Sequence, residues 1–147
     1  MQIERDIQID APAERVWSLI TEAEHIGRWF ADSGAEIDLR PGGALTMRWA
    51  DYGVAHARIV DVEPHTRFSY RWVPSPSAGV EPTDGNSTLV EFTLEPEAGG
   101  TRLRVVESGF DQLDRSPAGI AEAVEGNTKG WKEELGHLSE YAARVAA

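Results

Sequence analysis

The chain has 147 residues, of which 41% are apolar, and carries a formal net charge of -11 with no cysteine. The length predicts a single domain spanning residues 1–147, and the acidic balance disfavours nucleic acid and anionic membrane surfaces as partners. The lack of cysteine excludes thiol redox chemistry and disulfides. Because no signal-peptide pattern or membrane-length apolar run occurs, a cytoplasmic location is expected.

The N-terminal segment predicts one strand followed by two short helices. Residues from Gln2 to Asp10 alternate between apolar and polar side chains, which indicates a half-buried strand. Pro12 suits the first turn of a helix, where its missing N–H has no effect. Thr21 and Glu24 have the spacing of a capping box and predict the start of a second helix.

Residues 34 to 107 predict six strands joined by turns. Phe68, Tyr70 and Trp72 give the clearest alternation, since Arg and Ser occupy the positions between them. Links of hairpin length imply an antiparallel sheet. The stretch from Pro74 to Asn86 is rich in Pro, Ser, Gly and Asp, so it is interpreted as a long loop, either a lid or a merely mobile segment.

The last thirty residues predict a long helix, with Ser116 as its N-cap and Pro117 at its first position. Gly126 and Gly130 lower helix propensity, so the helix is expected to bend there or to let the sheet approach closely. Alternating steps of three and four define its expected apolar face. That face consists of Ala121, Val124, Thr128, Trp131, Leu135, Leu138, Ala142 and Val145.

The order and motifs of the whole chain resemble the START-like, or SRPBCC, superfamily. Within it, the chain is similar to the family named for homology to the activator of the heat-shock-protein ATPase. The motifs that carry this resemblance are residues 11–17, 29–30, 41–43, 62–64, 70–72, 100–103, 107–110 and 130–138. The resemblance implies an α+β helix-grip fold, with a curved antiparallel sheet around a long C-terminal helix and an apolar cavity between them.

The resemblance implies no single activity. Relatives in the superfamily include lipid carriers, polyketide aromatases and cyclases, antibiotic-sequestering proteins and co-chaperone domains. No universal catalytic residue set accompanies the fold, so only cavity positions are carried over to this chain.

The sequence shows no motif for metal, cofactor or nucleophilic chemistry. The four histidines have no ligand spacing, and the paired glycines form neither a P-loop nor a dinucleotide fingerprint. There is no nucleophile elbow around Ser108. Glu91 and Glu107 could act as general bases if buried, but exposed strand faces are the expected position of both.

The surplus of aromatic residues predicts a ligand site rather than a filled core. A concave apolar pocket with a few polar groups is the usual form of a small-molecule site. Thr128 either bonds its own helix or faces the cavity. The predicted ligand-binding residues are Trp29, Phe30, Met47, Trp49, His56, Tyr70, Trp72, Phe92, Phe110, Thr128, Trp131 and Leu135.

Three functions are compatible with these features. The first is binding of a small apolar or aromatic molecule in the cavity. The second is a cyclase-like or hydrolase-like enzyme acting on a molecule bound there. The third is a domain that regulates a chaperone ATPase. A homodimer is a possible assembly, whereas nucleic acid and membranes are not expected partners.

Overall fold

The computed structural model describes residues 2–51, 53–74 and 79–145. It confirms the predicted order of one strand, two short helices, six strands and a long helix. The elements are β1 (Gln2–Ile9), α1 (Ala13–Thr21), α2 (Ala23–Trp29), β2 (Ala35–Ile37), β3 (Ala44–Trp49), β4 (Gly53–Glu63), β5 (Arg67–Trp72), β6 (Thr88–Glu97), β7 (Gly100–Ser108), a 3-10 turn (Phe110–Gln112) and α3 (Pro117–Val145).

The strands form one antiparallel sheet in the order β1-β7-β6-β5-β4-β3-β2. The sheet is curved, and α1, α2 and α3 cover its apolar face, so the expected α+β helix-grip architecture is confirmed. Buried and more exposed positions alternate throughout β7 and along β6 from Thr88 to Leu94, whereas in β5 the buried Ser69 interrupts the alternation. A register shift between Ile59 and Asp61 marks an irregularity in the pairing of β4 with β5.

The junction between α1 and α2 differs from the predicted capping box. Glu22, not Thr21, is the N-cap of α2, and it makes no side-chain capping bond. Thr21 remains in the last turn of α1, where its hydroxyl donates to the Trp17 carbonyl at 2.7 Å. A buried threonine satisfies its hydroxyl most easily on its own helix, so the capping-box interpretation was wrong.

Helix α3 starts where the sequence predicts, but its buried face differs in the N-terminal half. The Ser116 hydroxyl accepts a hydrogen bond from the Gly119 N–H at 3.1 Å, which confirms the N-cap. Ala123 and Asn127 are buried, whereas Ala121 is exposed. The face is therefore rotated by one residue from the predicted stripe until it reaches Trp131.

For Gly126 and Gly130 the sequence left two alternatives, a bend of the helix or a close approach of the sheet, and the close approach was wrong. A Cβ added at either position would meet no atom within 4 Å. Close approaches do occur at two glycines in the sheet. At Gly43 an added Cβ would lie 1.9 Å from the Asp38 carbonyl oxygen, and at Gly100 it would lie 2.1 Å from that of Ile9.

The segment from Pro74 to Asn86 is only partly within the described residues, since 75–78 lie outside them. From Gly79 to the start of β6 the chain has turns but no helix or strand, as expected. Asn86 stabilises the turn that follows Glu81, because its side chain accepts a hydrogen bond from the Thr83 N–H at 2.6 Å and donates one to the Glu81 carbonyl at 3.1 Å. Among the helices of the described ranges, none has the length and apolarity to cross a bilayer.

These glycines give a paired stability prediction. Gly126→Ala should raise the free energy of unfolding by up to about 1 kcal/mol, because alanine favours the helix and the site is open. Gly43→Ala should destabilise strongly, since the added carbon overlaps backbone. Thermal unfolding measures both, and about 2–4 °C per kcal/mol is expected for a chain of this size. A loss of stability in Gly126→Ala would contradict the open environment.

Candidate functional site

The most unusual buried group is the carboxyl of Glu107, near the end of β7. Its exposed fraction is 0%, and it is the one charged residue among the buried polar side chains of the described ranges. It shares the inward parity of Leu103 and Val105 on β7, so the alternation of the strand places it in the core. A buried charge is tolerated only when its oxygens are hydrogen-bonded.

Four side chains donate to the two oxygens of Glu107. Trp131 donates to Oε1 at 2.8 Å, and Trp72 donates to Oε2 at 2.9 Å. The Thr88 hydroxyl reaches Oε2 at 2.5 Å, and the Asn127 amide reaches both oxygens at 2.9 and 3.0 Å. Because indole and amide N–H groups only donate, this set suits an ionised carboxylate.

The expected exposed position of Glu107 was therefore wrong, whereas Glu91 fits that expectation. Glu91 lies on the opposite face of the sheet, where its side chain is 30% exposed and 3.3 Å from Arg67. The signal for Glu107 was present in the sequence, since it continues the inward parity of Leu103 and Val105. Asn127 was missed because the predicted helix stripe favoured apolar Val124.

Phe30 lies at the centre of an aromatic cluster beside Glu107. Four indole rings surround it, with centroid distances of 5.0 Å to Trp29, 5.3 Å to Trp49, 5.9 Å to Trp72 and 5.5 Å to Trp131. The rings of Trp29 and Trp131 lie nearly parallel to that of Phe30, at 19° and 21°. We refer to these five residues as the Phe30 cluster.

A small void of 10 Å³ lies next to the Phe30 cluster, where the sequence predicts a cavity. Its volume is about that of one water position, because the aromatic rings fill most of the space between sheet and helices. The residues that line the void are Ile20, Ile26, Trp29, Phe30, Leu45, Met47, Phe68, Tyr70 and Phe92.

Of the residues that line the void, Tyr70 carries a buried polar atom without a hydrogen-bond partner in the described ranges. Tyr70 is 1% exposed, and its hydroxyl has no hydrogen-bond partner within the described residues. Burial raises the pKa of Tyr70 well above its usual value, and the nearby carboxyls of Glu107 and Glu134 raise it further. The hydroxyl therefore keeps its proton and remains a donor without an acceptor.

A second carboxyl, that of Glu134 on α3, lies at the edge of the aromatic region. Its side chain is 16% exposed, and Oε1 lies 2.9 Å from His137 Nδ1. Its Oε2 atom is buried and has no hydrogen-bond partner in the described ranges. Desolvation raises the pKa of Glu134 to about 7, although His137 and the Trp49 indole oppose this shift.

Most of the predicted ligand-binding residues come together in the interior. Five of them line the void, and Trp49, Trp72 and Trp131 adjoin it through the Phe30 cluster. Phe110 and Leu135 are buried in the same hydrophobic core without lining the void.

Two predicted residues lie elsewhere. His56 is on the outer face of β4, because its neighbours Ala55 and Ala57 take the buried positions. The Thr128 hydroxyl donates to the Val124 carbonyl at 2.6 Å, so it bonds its own helix, and Asn127 faces the interior. No cluster of three or more potential metal-ligand side chains occurs in the described ranges.

Glu107→Gln should destabilise the protein by about 3 kcal/mol, because charge-assisted bonds are lost and the new amide N–H faces other donors. Glu91→Gln is the matched control on the neighbouring strand. It should change stability by less than about 1 kcal/mol, since its ion pair is partly exposed. Urea unfolding compares the two variants, and equal effects would contradict a stabilising role for the buried carboxylate.

Glu134→Gln should stabilise the protein above pH 7. Because the pKa of Glu134 is higher in the folded state than in the unfolded state, its ionisation destabilises the fold. This loss of folding free energy is absent below about pH 4.5, grows between about pH 4.5 and pH 7, and is complete above about pH 7. The variant should therefore gain about 3 °C in Tm at pH 8 and little at pH 4.5. Glu133→Gln, exposed on the same helix, should show no such pH dependence. A Glu134→Gln gain that is equal at both pH values would contradict the raised pKa.

Solved structures with the same fold cover almost the whole chain. A protein from Mesorhizobium loti is 27% identical with a TM-score of 0.75, and the match covers 98% of each chain. CalU16 from Micromonospora echinospora is 26% identical with a TM-score of 0.69, over 96% of this chain and 75% of that one. The Aha1 dimer from Colwellia psychrerythraea, at 18% identity and a TM-score of 0.71, matches over 95% and 94% and shows the fold alone.

A search of curated proteins gave no significant match. A family comparison did, since residues 10–143 match the family described as activator of Hsp90 ATPase homolog 1-like protein. The matched region contains β2 to β7, α1, α2, the whole Phe30 cluster and both Glu107 and Glu134. The chain therefore belongs to the activator of Hsp90 ATPase homolog 1-like family.

Proposed function

We propose that the chain binds a small apolar or aromatic molecule between the sheet and α3. The observation that carries this proposal is Tyr70, a lining residue of the apolar void whose buried hydroxyl has no partner within the described residues. A buried hydroxyl without a partner costs about 1–3 kcal/mol. A ligand with one polar atom removes this cost when it occupies the adjoining space.

A ligand larger than water must displace aromatic rings, because the void has a volume of only 10 Å³. Phe30 is the ring best placed to move. It is the C-cap residue of α2, a helix of seven residues, and helix ends open more easily than helix interiors. The described conformation is therefore too closed for such a ligand, and the apparent affinity is the affinity of the open conformation multiplied by the fraction of molecules that adopt it.

A side-chain hydrogen bond joins α2 to α3. His25 Nδ1 lies 2.6 Å from the Tyr141 hydroxyl, and the two rings are 5.7 Å apart. This contact keeps α2 over the Phe30 cluster. Movement of Phe30 away from the cluster requires either rotation at the end of α2 or release of this bond.

The geometry favours binding over the two alternatives. An enzyme would need an acid or base with free hydrogen-bonding capacity at the void. Both oxygens of Glu107 already accept hydrogen bonds, and Glu134, which keeps a buried oxygen without a partner in the described ranges, is not among the residues that line the void. Regulation of a chaperone ATPase, which the family description suggests, would act through the surface. The unusual groups of this chain, which are the Glu107 carboxylate, the Tyr70 hydroxyl and the Phe30 cluster, lie instead in the interior. Self-association remains a hypothesis that rests on a similar structure described as a dimer.

Tyr70→Phe tests the proposal with two probes, 2-naphthol and naphthalene. In the native protein both should quench Trp fluorescence and raise Tm, and 2-naphthol should bind more tightly. Tyr70→Phe should lose roughly tenfold in affinity for 2-naphthol, the value of one hydrogen bond, and keep its affinity for naphthalene.

The variant should also be as stable as the native protein or more stable, since it lacks the unpaired hydroxyl. Tyr141→Phe is the comparison variant: it leaves the Tyr70 hydroxyl in place and releases the bond to His25, so it should change the affinities for both probes in the same direction and leave their ratio unchanged. If neither probe changes the Tm or the Trp fluorescence of the native protein, the proposed function is wrong.

A further inference from the structure

The geometry points to a ligand class, on the basis of the proposed function above. We propose that the small aromatic molecule bound by this site carries an ammonium group, which occupies the position of the Phe30 ring among the four indoles.

The indoles form a cage for a cation. A group at the centre of the Phe30 ring would lie 5.0 to 5.9 Å from the centroids of Trp29, Trp49, Trp72 and Trp131. A cation is attracted to an aromatic face within about 6 Å, and tryptophan is the strongest of the aromatic side chains in this respect. Trp29 and Trp131, nearly parallel to Phe30, would present their faces to it.

The charges around the cage are negative. Glu107 is fully buried, Glu134 is largely buried, and the buried polar set of the described ranges contains no Lys or Arg. Asp32 lies close enough to Glu134 to raise its pKa. A ligand carboxylate would be repelled by these groups, whereas an ammonium would be attracted in a region of low dielectric constant.

Glu107 also strengthens the cage directly. It accepts the N–H groups of Trp72 and Trp131 at 2.9 and 2.8 Å. A carboxylate at the indole N–H polarises the ring, because hydrogen bonds in a low-dielectric interior reinforce each other. Two of the four cage walls are therefore more electron-rich than isolated indoles.

The experiment uses two probes of equal shape that differ in charge. Benzyltrimethylammonium carries a permanent positive charge, and neopentylbenzene is its neutral isostere. Calorimetric or fluorescence titration at pH 8 should show that the cation binds about tenfold more tightly. Benzenesulfonate, the anionic arm, should bind more weakly than either.

Variants of Glu134 on α3 and of Phe30 at the centre of the cage separate the effect of the negative charge on affinity from the effect of the space inside the cage. Glu134→Gln should lower the affinity for the cation about fivefold and leave that for neopentylbenzene unchanged. Glu133→Gln removes the same charge from the exposed side of α3 and should change the cation affinity by less than twofold. Phe30→Leu, with Phe30→Ala as the more drastic change, frees the centre of the cage and should raise the affinity for both probes.

The pH dependence of cation affinity is a further test, because it would not change if Glu134 had only a structural role. Glu134 faces His137 on its own helix, Trp49 from β3, Asp32 from the connection after α2, and Tyr70 from β5. Because its pKa is about 7, the cation affinity should rise between pH 6 and pH 8 in the native protein and much less in Glu134→Gln.

The outcomes distinguish the two proposals. If no probe binds the native protein or the Phe30 variants, the proposed function and the cation inference both fail. If neopentylbenzene binds as tightly as the cation, or benzenesulfonate binds more tightly, ligand binding stands and the cation inference is overturned.

Discussion

The packing of α3 on the sheet depends on the buried carboxylate of Glu107. Its two oxygens connect β7 with Trp72 of β5, Thr88 of β6, and Asn127 and Trp131 of α3. Apolar contacts alone would allow the helix to slide or rotate on the sheet, because the hydrophobic effect has no direction. Hydrogen bonds to one buried charge fix both the axial position and the rotation of the helix.

The same carboxylate determines which aromatic residues can form the wall of the site. Trp72 and Trp131 each present an indole N–H to Glu107 and an apolar ring to Phe30. A phenylalanine could provide the ring but not the donor, so it would leave a carboxylate oxygen with fewer bonds. Packing, electrostatics and ring orientation are therefore coupled at these two positions, while Phe30 is constrained by packing alone.

The order of elements could be predicted because each follows from a local pattern. The alternation in β5 and the Ser116 cap of α3 depend on neighbouring residues only. The buried face of the helix could not be predicted from spacing alone, since Val124 with Thr128 and Ala123 with Asn127 both satisfy helical spacing. The predicted face with Val124 was wrong because the interior position is taken by Asn127, whose amide donates to Glu107. Glu107 lies on β7, twenty residues earlier in the chain, so the local pattern of the helix does not reveal this contact.

The cavity volume could not be predicted for a similar reason. The sequence shows that many rings face one another but not how closely they stack. His56 was misplaced although parity could have identified it, since the small residues Ala55 and Ala57 occupy the inward positions of β4. Alanine is a weak signal of burial beside a histidine, so the pattern was open to the opposite interpretation.

The attachment of Trp72 and Thr88 to the same oxygen of Glu107 has a consequence for the connection between β5 and β6. Trp72 ends one strand and Thr88 begins the next, so the two ends of that connection are clamped at a shared point. Once the ends of a loop are fixed, doubling its length costs only about 0.6 kcal/mol. A change in the length of this connection should therefore leave the register of the sheet undisturbed.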